Sequence, residues 1–73
     1  MTNQELLRKF GKQMRAIRQK RGLSQEKLAE LAGLHRNYTG ILERGRWNPT
    51  LVAIVALARA LKVRPASLLP DID

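Results

Sequence analysis

Arginine and asparagine side chains recur between residues 36 and 48 of this chain. Arg36 and Asn37 are adjacent, and Arg44, Arg46 and Asn48 follow at short spacing. Arginine can donate two hydrogen bonds to guanine O6 and N7, asparagine can pair with adenine N6 and N7, and both residue types also bind backbone phosphate. The segment therefore has the chemistry for binding nucleic acid, with phosphate contact alone as the alternative interpretation of Arg36.

The net charge of the chain favours the same kind of partner. Its 73 residues include 14 Lys and Arg against 6 Asp and Glu, a net charge of +8 with His35 neutral. Residues 1–46 hold 11 of the basic and 4 of the acidic residues, a net +7, so the basic field belongs to the N-terminal two thirds. Because this exceeds what solubility requires, nucleic acid is the first expected partner and a membrane surface the second.

The chain contains few of the residues that catalysis or metal binding needs. It has no cysteine and one histidine, which excludes disulfides, thiolate metal sites and histidine-rich metal sites. It has no evident nucleophile–base pair and no glycine-rich phosphate loop, so we expect no enzyme activity, cofactor, metal or small-molecule ligand. No apolar run approaches the roughly 18 residues of a membrane span, and the N-terminus is unlike a signal peptide. We therefore expect a cytoplasmic, nucleoid-associated protein.

Apolar periodicity and capping residues predict a single all-α domain over residues 1–73, with five helices and no strand. Thr2 and Glu5 have the spacing of a capping box before the first helix. Ser24 and Thr50 can cap the second and fourth helices. The five predicted helices cover about residues 3–21, 25–32, 35–44, 51–62 and 65–69.

The second and third predicted helices are joined by only three or four residues, which include Gly33. So short a connection forces the two helices to cross at a steep angle, and Gly33 permits a positive φ in the turn. Ala29 lies where the two helices approach, and a larger side chain there would push them apart. Residues 25–44 therefore predict a helix-turn-helix, whose second helix, about 35–44, can lie in the DNA major groove.

Residues 22–34, GLSQEKLAELAGL, resemble the helix-turn-helix of phage-repressor-type (Cro/CI-like) regulators, and residues 43–51, ERGRWNPTL, resemble the segment after their recognition helix. The resemblance covers about residues 10–69. It implies a compact, lambda-repressor-like five-helix bundle and a sequence-specific transcription regulator that binds double-stranded DNA as a homodimer on an inverted-repeat operator. The single domain and residues 34–38, LHRNY, are also similar to controller proteins of restriction–modification systems.

The resemblance also assigns roles to residues of the recognition helix and its surroundings. Arg36 and Asn37 open that helix and are expected to contact bases. Ile41 occupies a base-contacting position, where either a thymine methyl or the core would be its partner. Gln25 is expected to support the helix as well as bind phosphate. Tyr38 is expected to bind phosphate, and a half-buried core position is the alternative role for it. The expected phosphate contacts are Gln25, His35, Tyr38, Arg44, Arg46 and Asn48.

Several residues around the recognition helix have expected structural roles. The resemblance predicts a buried ion pair between Arg18 and Glu43, since a free carboxylate on that helix would repel phosphate. Thr39 departs from the Ile or Val usual in the family, and its hydroxyl is expected to bond a carbonyl one turn back. Gly40 weakens the helix by about 1 kcal/mol relative to alanine. Trp47 is expected to pack on the domain, and support of the DNA backbone through its indole N–H is the alternative.

The fourth predicted helix has more apolar surface than one small domain would bury. Leu51, Ile54 and Leu57 belong to its expected inner stripe, yet Val52 and Val55 leave its first half apolar on the other sides as well. A second subunit would cover this surface, and the resembled family dimerises through the same region. We therefore expect residues 50–73 to form the dimerisation region. The expected interface residues are Val52, Val55, Val63, Leu68 and Leu69.

Two questions remain open. The alternative function is a protein-interaction module, such as the antitoxin of a toxin–antitoxin pair that also binds DNA, although no added toxin-binding segment is visible. The sequence also leaves open whether the protein activates or represses transcription, with RNA polymerase as a candidate partner.

Overall fold

The computed structural model describes residues 1–71, which form four α-helices and one 3₁₀ helix, with no β-strand among them. The elements are α1 (Asn3–Lys20), α2 (Gln25–Ala32), α3 (Tyr38–Glu43), α4 (Leu51–Leu61) and the 3₁₀ helix Pro65–Leu68. The all-α class is as predicted, but the fifth helix is a single 3₁₀ turn. Because Pro65 begins this element and Pro70 follows closely, too few residues remain to nucleate an α-helix. None of the helices in the described range combines the length and apolar character needed to cross a membrane.

Three of the four α-helices begin at a side-chain cap. The hydroxyls of Thr2, Ser24 and Thr50 accept hydrogen bonds from backbone N–H groups three residues further on, at 3.1, 2.9 and 3.0 Å. Thr2 and Glu5 complete the predicted capping box. These bonds satisfy N–H groups that have no partner within the helix, and they depend only on neighbouring residues. The predicted starts of α1, α2 and α4 are therefore confirmed.

Helix α3 is shorter than predicted and has no side-chain cap. The sequence predicts a start at residue 35 or 36, whereas the helix begins at Tyr38. The Tyr38 N–H donates to the His35 carbonyl at 2.9 Å, and the Asn37 N–H donates to His35 Nδ1 at 3.2 Å. Arg36 and Asn37 therefore lie in a turn that precedes α3 and do not form its first turn.

The core lies where the α-helices and the 3₁₀ helix meet. Its largest members are 4% exposed or less and are Phe10, Met14, Leu28, Leu42, Leu57, Leu61 and Leu68. Two leucines lie at the surface: Leu31 of α2 is 51% exposed, and Leu51 of α4, which was predicted to face inward, is 75% exposed. Helix α2 packs on α4 with the face that holds Leu28 and Ala29, which leaves Leu31 outside. Leu51 opens α4 and lies beyond the end of the core.

Helix α1 crosses the end of α3 at backbone contact distance. A β-carbon at Gly11 would lie 2.7 Å from the Glu43 carbonyl oxygen, so no larger residue fits there without a shift of the helices. This contact fixes the distance between α1 and the recognition helix.

Thr39 of α3 is fully buried, and its hydroxyl has no hydrogen-bond partner within residues 1–71. The predicted bond to a carbonyl one turn back is therefore wrong. Because α3 begins at Tyr38, no turn of α-helix precedes Thr39 to present such a carbonyl to its hydroxyl. An unsatisfied buried hydroxyl lowers stability, whereas the Ile or Val usual at this position would not.

Candidate nucleic-acid interface

Helices α2 and α3 form the predicted helix-turn-helix. Gly33 ends α2 in the left-handed region with a φ of 72°, and the Leu34 N–H donates to the Ala29 carbonyl at 2.8 Å. Ala29 is fully buried, as expected for the point where the two helices approach. Helix α3 contacts both α1 and α2, so it is held on two sides.

The predicted ion pair between Arg18 and Glu43 joins α1 to α3. Arg18 Nε and Nη2 donate to the two carboxylate oxygens of Glu43 at 2.6 and 3.1 Å, and Nη1 donates to the Leu23 carbonyl at 2.8 Å. The Arg18 and Glu43 side chains are only 11% and 4% exposed. The carboxylate is therefore neutralised and turned inward, so that it does not oppose an anion bound to α3.

Gln25 connects α2 to the same ion pair. Its Nε2 donates to Glu43 Oε1 at 2.9 Å, so three helices share one carboxylate. A β-carbon at Gly40 would lie 3.0 Å from Gln25 Oε1, which shows how closely the two helices approach. Gln25 thus supports the recognition helix. Its amide carries a second Nε2 hydrogen beside the one donated to Glu43.

The turn before α3 presents three consecutive polar side chains to solvent. His35, Arg36 and Asn37 are all exposed, and Asn37 makes no side-chain cap for the helix. Since His35 Nδ1 accepts the Asn37 N–H, the donor edge of the neutral imidazole is Nε2. Arginine and asparagine in an exposed turn that directly precedes a recognition helix have the geometry to reach base edges.

A polar recess of about 640 Å³ lies between the first half of α1 and the loop after α3. It contains three arginines and no carboxylate, and its lining residues are Gln4, Leu7, Arg8, Arg44, Gly45, Arg46, Trp47 and Asn48. Three arginines that line one opening produce a positive potential that favours an anion such as a phosphate. Three of the six predicted phosphate contacts, Arg44, Arg46 and Asn48, therefore lie together.

Arg8 and Gln4 were not predicted to be part of this surface. Gln4 Nε2 donates to the Gly45 carbonyl at 3.0 Å, and a β-carbon at Gly45 would lie 2.9 Å from Arg8 Cγ. Gly45 has a φ of 70°, so the chain turns sharply against α1 at this point. The four-residue spacing of Gln4 and Arg8 indicates a shared helix face, but nothing in the sequence indicates that this face meets Gly45.

A second, apolar recess of about 300 Å³ borders the recognition helix. It is lined by His35, Asn37, Tyr38, Ile41 and Trp47. Tyr38 and Ile41 are partly buried, and Trp47 is 57% exposed. Trp47 therefore lies beside α3 and does not enter the core.

The predicted dimer residues differ in their exposure. Val52 is 79% exposed and Leu69 is 51% exposed, while Val55 and Val63 are partly buried. Leu68 has no exposed surface, because the 3₁₀ helix turns it into the core of its own subunit, so it offers a partner nothing to contact. Leu51, which was predicted to face inward, joins Val52 and Val55 on the exposed side of α4.

Within residues 1–71, no three His, Asp or Glu side chains are grouped so that they could hold a metal ion. The Glu43 carboxylate accepts hydrogen bonds from Arg18 and Gln25.

A model of the helix-turn-helix domain family matches residues 9–70 of this chain. The chain belongs to this family. As a helix-turn-helix domain, it is 46% identical over 56 residues to the control protein C.SmaI of Serratia marcescens, over 77% of this chain and 67% of C.SmaI. It is 41% identical over 61 residues to the immunity repressor protein of Bacillus phage phi105, over 84% of this chain and 42% of the repressor.

Solved helix-turn-helix proteins have the same fold. The restriction-modification controller protein C.AhdI from Aeromonas hydrophila superposes with a TM-score of 0.84 at 51% sequence identity, over 86% of this chain and 96% of C.AhdI. The predicted similarity to phage repressors and controller proteins is therefore confirmed, and so is the predicted class of function, a helix-turn-helix transcription regulator. The individual DNA contacts and the dimer interface stay predictions.

Proposed function

We propose that this regulator binds an inverted-repeat operator as a homodimer and reads its half-sites with Arg36 and Asn37. The observation that carries the proposal is the exposed turn of residues 35–37, which stands directly before a recognition helix that three other contacts hold in place. A rigid support matters because a base contact discriminates only when the side chain is held in register with the base edge. Ile41 completes the base-contacting set on the next turn of α3.

We further propose that phosphates are bound on both sides of this turn. Gln25 and His35 bind phosphate on the side near the start of α2, and Tyr38 donates its hydroxyl to phosphate from α3. Arg44, Arg46 and Asn48 bind phosphate on the other side, and we add Arg8 to them because this residue lines the same polar recess. Phosphate contacts position the domain on the duplex, and base contacts provide the sequence preference.

The homodimer is supported by the surface of α4. Leu51 and Val52 are 75% and 79% exposed on the same side of the helix, and Val55 and Ala56 continue this apolar surface. A partner subunit would remove it from water. Val63 and Leu69 are the remaining interface residues of the proposal, and Leu68 is omitted because it is buried.

A regulator of this kind acts in the cytoplasm, on DNA. The named relatives are control and repressor proteins, so the region upstream of the protein's own gene is the first DNA to test by footprinting. RNA polymerase is the partner to add in a transcription assay, because the position of the operator relative to the promoter decides between activation and repression.

The decisive experiment combines binding-site selection from random duplex DNA with a change of half-site spacing. A twofold dimer requires half-site centres about 34 Å apart, or about 10–10.5 base pairs, or a multiple of this distance. Selection should therefore return an inverted repeat, and inserting about five base pairs between its halves should reduce affinity to the nonspecific level. Unchanged affinity after this insertion would contradict the dimeric mode of binding, and failure to select any sequence would contradict sequence-specific recognition.

A further inference from the structure

The apolar recess beside α3 has an unusual setting. Its surface consists mainly of carbon atoms, and it is lined by Tyr38, Ile41 and Trp47 together with His35 and Asn37. The exposed Arg36 stands between His35 and Asn37 in the sequence, and the exposed Arg46 directly precedes Trp47. A large aromatic ring that is 57% exposed thus lies within a positively charged surface.

The charge around the recess restricts what can occupy it. An apolar protein surface would have to cover or desolvate the neighbouring arginines, which is costly without opposite charges. Double-stranded DNA satisfies the arginines with phosphates and base edges. In its major groove it presents one apolar group, the C5-methyl group of thymine.

The position of the recess fits the same occupant. Ile41 follows Asn37 by one helical turn, so the recess and the base-contacting side chains lie next to each other. The loop that supplies Trp47 also supplies Arg46 and Asn48 to the polar recess. A phosphate bound there would therefore bring the edge of the adjacent major groove towards the tryptophan ring.

We propose that Tyr38, Ile41 and Trp47 form a pocket for the C5-methyl group of an operator thymine, and that the protein distinguishes thymine from uracil and cytosine at that base pair. This inference rests on the proposed function, because it requires α3 to lie in the major groove. It adds a specificity determinant from the loop, Trp47, to the residues of the recognition helix.

The test is a methyl scan of the operator obtained by selection. Each thymine of one half-site is replaced singly by deoxyuridine, which removes only the C5-methyl group. The transfer free energy of one buried methylene corresponds to about a fourfold loss of affinity, and we expect this loss at one thymine near the bases that Arg36 and Asn37 read. Placing 5-methylcytosine at the same position should bind better than cytosine, since it restores the methyl group.

The protein variants separate the pocket from general effects on folding. Ile41→Ala and Trp47→Ala should reduce the thymine-to-uracil affinity ratio at that position to about one, whereas Trp47→Phe should keep most of it. This ratio is measured on one protein preparation, so partial unfolding of a variant cancels. Leu31→Ala is the matched control, because Leu31 is an apolar side chain whose exposure is similar to that of Trp47 and which lines neither the apolar recess nor the polar recess.

Three outcomes would overturn the inference while leaving the proposed function intact. They are a selected half-site without thymine, a scan in which no thymine depends on its methyl group, and a ratio that Ile41→Ala and Trp47→Ala leave unchanged. If the Trp47→Ala variant sediments with the mass of a monomer and keeps the thymine-to-uracil affinity ratio, the recess belongs to the contact between subunits. Failure to select any operator would overturn both proposals.

Discussion

Arg18 Nε lies 2.6 Å from Glu43 Oε2, which connects the last turn of α1 to the last residue of the recognition helix. Both side chains are almost inaccessible to solvent. Removing one partner leaves the other as an isolated buried charge, so we expect Arg18→Met to lower the free energy of unfolding by about 3–5 kcal/mol. Urea denaturation measures this change. The double variant Arg18→Met/Glu43→Leu should lose less than the sum of the single variants, and a fully stable Arg18→Met protein would contradict this account.

The buried hydroxyl of Thr39 predicts a stabilising substitution. Thr39→Val keeps the shape of the side chain and removes a polar group that has no partner within residues 1–71, so the free energy of unfolding should rise by about 1–3 kcal/mol. The matched control is Thr50→Val, which removes the cap of α4 and should lower the free energy of unfolding by about 1 kcal/mol. Thermal melting of both variants checks the prediction, and a destabilised Thr39→Val protein would disprove it.

Arg36 and Arg46 should differ in the kind of binding energy that they supply. Arg36→Ala is expected to relax the preference at one base position and to cost about 1–3 kcal/mol there. Arg46→Ala is expected to weaken binding to all sequences alike and to flatten the dependence of log affinity on log salt by about one unit. Titrations of specific and unrelated duplexes at several salt concentrations separate these effects. If Arg36→Ala shows the uniform pattern, its assignment as a base contact is wrong.

Arg8 extends the predicted DNA-binding surface to α1. Arg8→Ala should weaken binding to every sequence and reduce the salt dependence by about one unit, because one phosphate contact is lost. Lys9→Ala is the matched control, since Lys9 carries the same charge on the same helix but lines a different recess, near Pro70 and Asp71. Equal effects of the two substitutions would show that only net charge matters, and the proposed contact of Arg8 would then be rejected.

The exposed face of α4 predicts the consequence of placing a charge there. Val52→Asp should preserve folding, because the side chain is 79% exposed in the monomer, but should prevent dimer formation by burying a carboxylate in an apolar interface. Sedimentation at micromolar concentration should show about twice the monomer mass for the wild type and monomer mass for the variant. Leu31→Asp, on α2, introduces the same charge elsewhere and should remain dimeric. A wild-type protein that is monomeric both free and on DNA would contradict the dimer.

Much of the fold was predictable because local interactions determine it. The caps at Thr2, Ser24 and Thr50 and the left-handed Gly33 involve residues at most five positions apart. The starts of α1, α2 and α4 and the end of α2 follow from these contacts. The start of α3 was less predictable, since no capping side chain competes with the turn that His35 closes. The ion pair of Arg18 with Glu43 came from a family resemblance and not from local pattern.

The sequence by itself determined helices α1, α2 and α4, the basic character and the helix-turn-helix, because spacing and side-chain type along a short segment suffice for each of them. Only the tertiary structure decided which faces meet. It brought Arg8 beside Gly45, placed Trp47 against α3, exposed Leu31 and Leu51, and buried Leu68. These outcomes depend on how close helices approach at positions such as Gly11, where backbone meets backbone, and such distances between remote segments are set by packing of the whole core rather than by periodicity.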